Sequence, residues 1–266
     1  MNPVLEEWLY SLVPIVAVSF VAWVLCTLRR NVGLVDVFWP VFFLVAGGFH
    51  LWRTQAWPAS SLALAAVIAA WALRLSGHLA VRNWNAPEDR RYAAIRTRHE
   101  PGFAWKSLYL VFGFQAVLAW IVAAPLAVGL GAGAPLGAAW VFGLGLAIAG
   151  ITIEAIADSQ LTAFKAREGD ADGVLDTGLW RYSRHPNYFG ECCLWWGVFA
   201  MAVRPGCWWI VVSPLLMTYL LLRVSGVTLL ERDIAERRPA YRDYVARTPA
   251  FVPWIPRAST GSPRGD

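Results

Sequence analysis

Runs of apolar residues near twenty long alternate with short polar segments along the whole chain. A helix of about 20 apolar residues crosses the roughly 30 Å hydrocarbon layer of a bilayer. The pattern therefore predicts an all-α, polytopic membrane bundle of about seven transmembrane helices. The predicted spans are about Trp8–Leu28, Leu34–Leu51, Ala59–Val81, Lys106–Leu130, Ala138–Phe164, Tyr188–Val203 and Trp208–Leu230.

The basic residues of the polar segments predict the orientation of this bundle. Arg29–Arg30, the segments 82–98 and 165–184 and the tail fall on one side, and Arg53 and Arg204 fall on the other. Lysine and arginine accumulate in the short cytosolic loops of membrane proteins. We therefore expect the amino terminus to lie outside and the carboxyl terminus to lie in the cytosol.

The composition agrees with a membrane protein. Of 266 residues, 58% are hydrophobic and 15% are charged, whereas soluble domains carry about 25% charged residues. We expect one seven-helix domain over residues 1–256 and a disordered tail over 257–266. The abundance of Ala and Arg favours a bacterial chain and hence the cytoplasmic (inner) membrane.

The net charge of +5 and the four cysteines add little to this picture. Nucleic-acid binding is not expected, because the basic residues lie in short loops beside the spans, where they set topology. The cysteines lie within apolar runs and lack metal-binding spacing, so no metal site is predicted.

Several charged or polar side chains interrupt the predicted spans. Such groups are costly in hydrocarbon and commonly face a cavity or a partner, so they indicate a functional site. All lie toward the inner half of the bundle and predict a polar cavity open to the basic side. The alternative is that they are snorkelling or paired residues near helix ends. The side chains that interrupt the predicted spans are Asp36, Arg74, His78, Glu154, Asp158, Lys165 and Arg223.

A second candidate feature is the polar segment from Asp176 to Glu191, which reads DTGLWRYSRHPNYFGE. Arg181 and Arg184 have planar guanidinium groups that can bind phosphate in a bidentate manner. Gly190 permits close approach of another backbone. The segment could also be a capped turn at the membrane interface, built around its proline and glycine.

This segment, with Tyr241–Tyr244 and Thr248–Pro253, resembles the carboxyl-terminal domain of the steroid 5α-reductases. The chain is most similar to the bacterial branch of that superfamily, because Asn31–Trp39, Arg74–Leu79 and Glu88–Tyr92 look like that branch as well. The resemblance covers nearly the whole chain. It implies a seven-helix bundle that holds NADPH from the cytosolic side.

The resemblance also implies which residues bind the cofactor. In the reductases, an amide, a carboxylate and then a basic residue of the fifth helix help to hold the nucleotide, and Glu154, Asp158 and Lys165 match their spacing. The reductases' Asn-aromatic-x-Gly-Glu run matches residues 187–191, and their last-helix arginine matches Arg223. The full implied set is Glu154, Asp158, Lys165, Arg181, Arg184, His185, Asn187, Tyr188, Glu191, Arg223, Tyr241 and Tyr244.

The implied activity is NADPH-dependent reduction of a conjugated C=C bond in a hydrophobic, steroid- or isoprenoid-like substrate that enters from the membrane lipid. The reductases polarise the substrate carbonyl with a tyrosine of the third helix, and that position aligns with His78. We expect His78 to donate a hydrogen bond or proton to the carbonyl oxygen, with Asp36 or water orienting the imidazole.

Two other functions remain open at this point. Membrane phospholipid and isoprenylcysteine methyltransferases carry a similar Arg-His-Pro-x-Tyr-x-Gly run and bind S-adenosylmethionine. The cationic residues here suit a nucleotide phosphate better than a sulfonium. The chain could also be a lipid-binding or structural membrane protein that keeps the fold without catalysis, since a fold does not determine a function.

Overall fold

The structure is a computed structural model, and it describes residues 3–55, 57–131, 136–168, 173–224, 227 and 241–257. Within these ranges the regular elements are all helical. The principal helices are α1 Pro3–Tyr10, α2 Leu12–Leu28, α3 Val35–Thr54, α4 Ala59–Asn83, α5 Arg90–His99, α6 Phe103–Ser107, α7 Phe114–Val122, α8 Ala124–Gly131, α9 Ala138–Glu168, α10 Pro186–Ala202, α11 Val212–Tyr219 and α12 Tyr241–Arg247.

Shorter helical turns join several of these helices. They are 3₁₀ turns at Val32–Leu34, Gly178–Arg181 and Trp208–Val211, and π-helical turns at Leu108–Gly113 and Leu220–Val224. The second π-helical turn includes Arg223, one of the residues implied for cofactor binding.

In the part of the chain that is described, five helical stretches are long and apolar enough to cross a membrane: Pro3–Leu28, Val32–Thr54, Ala59–Asn83, Phe103–Val122 and Ala138–Arg167. The chain is therefore an integral membrane protein. The stretch Trp208–Val224 is apolar but shorter, and α10 has 17 residues. The count of seven spans and the orientation remain predictions.

Prolines explain two places where a predicted continuous span is divided. The first span breaks at Ser11, because Pro14 has no N–H to donate to the carbonyl of Tyr10. The fourth breaks at Ala123, where Pro125 likewise cannot donate to Ile121. The predicted fourth span is thus a membrane-length stretch ending at Val122, followed by the separate helix α8.

The chain forms two compact units. The first unit comprises Met1–Leu144 and Val198–Ser213, and the second comprises Gly145–Gly197 and Pro214–Asp266. The single domain over residues 1–256 therefore remains a prediction, and the chain within it is organised as these two units. The predicted tail lies almost wholly outside the described residues, as does the end of the seventh predicted span, residues 228–230.

Buried aromatic and aliphatic side chains hold the first unit together. The indoles of Trp8 and Trp120 stack 4.0 Å apart, and the Nε1–H of each donates to the backbone carbonyl of the other. Gly129 is needed where α8 meets α4, because a Cβ there would lie 2.5 Å from Leu64 Cδ2. These contacts satisfy the indole donors inside an apolar environment, where an unpaired N–H is costly.

Candidate functional site

In the second unit, helices α9 and α10 cross at two glycines. A Cβ on Gly150 would lie 2.5 Å from the carbonyl oxygen of Gly190, and a Cβ on Gly190 would lie 2.6 Å from the carbonyl oxygen of Gly150. Two backbones can approach this closely only without side chains, as at small-residue contacts between membrane helices. The close approach predicted for Gly190 is thus present, and its partner is Gly150.

This crossing brings together the residues that we call the acid–amide cluster, namely Glu154, Asp158, Asn187 and Glu191. The backbone N of Glu154 would lie 2.7 Å from a Cβ on Gly190, so Glu154 begins the cluster on α9. One turn later, Asp158 Oδ1 accepts a hydrogen bond of 3.2 Å from Asn187 Nδ2. The three carboxylate residues are buried. Four of the residues predicted for cofactor binding therefore lie at one helix crossing.

His185 and Tyr188 stand beside this cluster at the start of α10. Their rings stack with centroids 5.5 Å apart and planes 2° apart. His185 is buried, and its backbone N–H donates to Ser183 Oγ. By contrast, Lys165 and Arg223 are exposed in the structure. Their predicted contacts with a nucleotide would therefore be made from exposed positions.

Arg184 has a different environment from the one predicted for it. Its guanidinium Nη1 donates to the backbone carbonyls of Val245 and Thr248, at 3.1 and 2.5 Å, and its backbone N–H donates to the carbonyl of Pro249. The side chain is 7% exposed. It connects the segment before α10 to α12 and the residues after it, so these donors stabilise the protein itself. Phosphate binding by Arg184 remains a prediction.

Tyr244 makes a similar internal contact. Its phenol donates to the carbonyl of Trp180 at 2.5 Å, and the indole Nε1–H of Trp180 donates to the carbonyl of Ala157 on α9. The Tyr241 ring packs against that of Tyr244 with centroids 5.3 Å apart. These bonds connect α9, the turn Gly178–Arg181 and α12, and the cofactor roles of both tyrosines remain predictions.

Arg181 lies in a cleft that sequence reasoning did not identify, which we call the arginine cleft. Its volume is about 530 Å³, within the range of small-molecule sites. Arg247 is paired with Asp176 across it. The lining residues are Asp176, Thr177, Gly178, Arg181, Arg247, Thr248, Ile255, Pro256 and Arg257. Three guanidinium groups against one carboxylate make the cleft cationic.

Backbone contacts fix the walls of the arginine cleft. Gly178 has a φ of +59°, which favours glycine, and a Cβ there would lie 2.4 Å from Gln160 Nε2 and displace that side chain. Gln160 Oε1 accepts the N–H of Leu179 and holds this turn against α9. Among the other lining residues, the N–H of Arg257 donates to the carbonyl of Arg247.

In the first unit, Asp36 belongs to a group of polar contacts that we call the Asp36 network. Its Oδ1 accepts a hydrogen bond of 2.6 Å from the phenol of Tyr92, and its Oδ2 accepts one of 3.0 Å from Arg91. The phenol oxygen of Tyr92 accepts a hydrogen bond from Gln115 Nε2, and Asp89 Oδ1 accepts one from Arg91 Nε. Burial raises the pKa of Tyr92 well above its usual value, and the Asp36 carboxylate raises it further.

A second carboxylate beside this network is also paired with an arginine. Arg96 donates to both oxygens of Glu88, each at 2.8 Å, and Glu88 Oε1 also accepts the N–H of Val32. Burial raises the pKa of Glu88, but the hydrogen bonds from Arg96 and Val32 outweigh it and leave that pKa below its usual value. The segment containing α5 is thereby attached to the start of α3.

His78 is half-buried in α4, four residues after Arg74, as the sequence indicated. The hydrogen bonds described for Asp36 come from Tyr92 and Arg91, so the structure gives this carboxylate partners other than the imidazole. The expectation that His78 polarises a substrate carbonyl remains a prediction, as does the catalytic role of Asp36.

Sequence reasoning missed Gln160, Arg247 and Arg257 as neighbours of Arg181, and it missed Arg91 as the partner of Asp36. Gln160 had a detectable signal, because it lies on the same polar stretch of α9 as Asp158. The arginines had none, because their partners are far away in the chain.

The fold and these clusters define a multi-span helical membrane protein that carries a buried acid–amide cluster and an exposed arginine-lined cleft. The profile of a protein family described as "Protein of unknown function (DUF1295)" matches residues 22–248. The chain therefore belongs to that family. No curated protein and no solved structure matches the chain.

Proposed function

We propose that this protein is a membrane reductase that uses NADPH to reduce a conjugated C=C bond in a lipid-soluble, steroid- or isoprenoid-like substrate. The observation that carries the proposal is the acid–amide cluster at the Gly150–Gly190 crossing. The resemblance to the steroid 5α-reductases, a superfamily wider than the family shown here, implies that this set of side chains binds the nucleotide.

The residues present fit such a cofactor chemically. Carboxylates accept hydrogen bonds from ribose hydroxyls and from amide N–H groups, and an asparagine side chain can both donate and accept. Lys165 is an exposed cation of the same unit that suits the phosphates. When bound, NADPH would supply the hydride. The protein would bind and orient the cofactor and the substrate, and it would exclude water from them.

Within this proposal, the residues of the chain have separate tasks. Glu154, Asp158 and Glu191 would hold the nucleotide by accepting its donors. His78 would place a proton or hydrogen-bond donor at the oxygen on which charge develops during reduction. The exposed apolar surface of the spans would admit the substrate from the lipid.

A second candidate function is methyl transfer from S-adenosylmethionine. The observation that favours it is the burial of three carboxylates at one helix crossing, because this cofactor carries a positively charged sulfonium and an amino group. The two proposals therefore differ in the charge of the cofactor, and binding measurements distinguish them.

The test is cofactor titration into the purified full-length chain in lipid nanodiscs, followed by calorimetry. We expect NADPH to bind and S-adenosylmethionine not to bind. Asp158→Asn keeps an oxygen for the hydrogen bond from Asn187 but removes the charge, and it should weaken NADPH binding by about tenfold, the scale of one charge-assisted hydrogen bond. Asp243→Asn, at an exposed position of α12, is the matched control and should bind as the wild type does.

Binding of S-adenosylmethionine with no binding of NADPH would replace the first proposal by the second. If neither cofactor binds, both proposals fail and a non-enzymatic role is favoured.

A further inference from the structure

The arginine cleft lies at the level where a membrane-spanning helix changes from apolar to polar. Residues Ala138–Ile156 of α9 are almost all apolar, and Asp158, Ser159 and Gln160 follow. The indole of Trp180 is bonded to the carbonyl of Ala157, and the N–H of Leu179 is bonded to Gln160. The turn that forms one wall of the cleft is therefore attached where α9 becomes polar, and we place the membrane–water interface at this level.

An apolar rim adjoins the cleft. Ile255 lines both the arginine cleft and a neighbouring groove of about 260 Å³, whose other lining residues are Tyr182, Pro253 and Trp254. The side chains of Trp254 and Ile255 are 73% and 76% exposed. The N–H of Trp254 donates to the carbonyl of Tyr182, so the groove is held by a backbone bond that does not involve the exposed side chains.

Cationic and apolar groups are thus placed next to each other in a pattern suited to an amphipathic ligand. Tryptophan and tyrosine are enriched at membrane interfaces, where one part of the ring contacts acyl chains and the other contacts headgroups. Basic pockets beside spanning helices bind anionic lipid headgroups, and guanidinium groups match phosphate oxygens geometrically. A ligand without an apolar part would leave Trp254 and Ile255 exposed to water.

We propose that the arginine cleft and its apolar rim form a binding site for one anionic phospholipid of the surrounding bilayer. Arg181, Arg247 and Arg257 bind the headgroup phosphate. An acyl chain lies in the groove formed by Tyr182, Trp254 and Ile255. The site is separate from the acid–amide cluster, and it does not depend on the cofactor proposal.

The test is native mass spectrometry of the full chain in mild detergent, titrated with dioleoylphosphatidylglycerol or with dioleoylphosphatidylcholine. The wild type should bind the anionic lipid at least about fivefold more tightly than the zwitterionic one, the factor expected for about one additional effective charge contact. Arg257→Glu should abolish this preference, and Arg257→Lys should keep most of it. Arg257 is chosen because Arg181 also belongs to the implied cofactor set.

The matched control is Arg242→Glu, which makes the same charge change at an exposed position of α12 outside the cleft. It should keep the preference for the anionic lipid. Trp254→Ala should weaken the binding of both lipids to a similar extent, because it removes an apolar contact and leaves the charges unchanged. Thermal unfolding in the same detergent verifies that each variant is folded, and Arg257→Glu should unfold at the wild-type temperature because the side chain is exposed.

Three results would overturn the proposal. They are equal affinities of the wild type for the two lipids, an unchanged preference in Arg257→Glu, and loss of preference in Arg242→Glu as well. Displacement of the anionic lipid by saturating NADPH would also overturn it and would assign the cleft to the nucleotide. A failure here leaves the cofactor titration with Asp158→Asn unaffected, so the two proposals are tested separately.

Discussion

Both units of the protein hold carboxylates among their helices, but they surround them differently. In the first unit, Asp36 accepts hydrogen bonds from the phenol of Tyr92 and the guanidinium of Arg91. In the second unit, Asp158 accepts a hydrogen bond from the amide of Asn187, close to the point where two helices cross at glycines. Asp36 is thus fixed by a cation of its own unit, whereas Asp158 lies with two further buried carboxylates where two helices touch.

The two environments indicate different roles: the Asp36 network contributes to stability, and the acid–amide cluster is suited to binding a ligand. Removing one partner from a charge-paired network leaves the other partner unsatisfied, so such a change destabilises the fold. Several carboxylates gathered at one helix crossing offer several acceptor oxygens, which suits a ligand that carries several donors. We therefore expect changes in the Asp36 network to affect stability first, and changes in the acid–amide cluster to affect cofactor binding.

The largest effect should come from Gly190→Ala. The added Cβ would lie 2.6 Å from the carbonyl oxygen of Gly150 and 2.7 Å from the backbone N of Glu154, and neither backbone atom can move cheaply. We expect a loss of roughly 3 kcal/mol in the free energy of unfolding, the upper range for overpacking, together with loss of NADPH binding. Thermal unfolding and calorimetry in nanodiscs measure the two effects.

Gly145→Ala is the control for this variant. Gly145 lies in the same helix, and a Cβ there would have no atom within 4 Å, so stability and binding should be retained. Equal unfolding temperatures for the two variants would show that the crossing does not need its glycines.

His78→Phe should give the next largest effect, because it removes both ring nitrogens and keeps a ring of similar size. Reduction should slow by roughly 10², the usual scale for loss of one positioned donor, while NADPH affinity is preserved. The rate of reduction is measured as single-turnover oxidation of bound NADPH. The substrate is a steroid or isoprenoid enone that the wild type reduces. His99→Phe, outside the spans, is the control, and a wild-type rate in His78→Phe would make His78 a structural residue.

Tyr92→Phe should destabilise the first unit by about 2 kcal/mol, because the partly buried Asp36 loses a donor and Gln115 loses an acceptor. NADPH affinity should not change. Tyr109→Phe, at a 62% exposed tyrosine, should leave stability unchanged. A Tyr92→Phe protein that is stable but does not reduce substrate would contradict the structural interpretation and would identify Tyr92 as a proton donor.

The smallest effect should be a pH dependence at Glu88. Its pKa is lower in the folded protein than its ordinary value of 4.5, so the folded state favours the charged form. The stabilisation is present above that ordinary value and is lost as the pH falls through the folded pKa. It should stay within about 1 kcal/mol, because the ion pair is partly exposed.

Comparison of the wild type with Glu88→Gln isolates this contribution, since other carboxylates affect both proteins equally. The two unfolding free energies should differ at neutral pH and converge in acid. A constant difference at every pH would mean that the charge of Glu88 does not contribute.

The sequence alone was enough to predict the membrane-spanning helices and part of the site. Span length depends on local hydrophobicity, so four of the five membrane-length stretches were predicted to within about five residues at each end. The remaining one ends at Val122 instead of the predicted Leu130, because the helix is interrupted before Pro125. The close approach at Gly190 and the position of Asp158 one turn after Glu154 also follow from local spacing. The pairing of Asp158 with Asn187 was not predicted, because it needs the two helices to cross at that point.

The directions of the arginine side chains were decided by tertiary structure. Arg184 had the residue type and the neighbours of a phosphate ligand, yet its guanidinium bonds to carbonyls more than sixty residues downstream. Arg181 meets Arg247 and Arg257 because backbone bonds hold the segment after α12 beside it. Hydrophobic length and helix periodicity are local properties of the chain, whereas the partner of a long charged side chain depends on which distant backbone reaches it after folding.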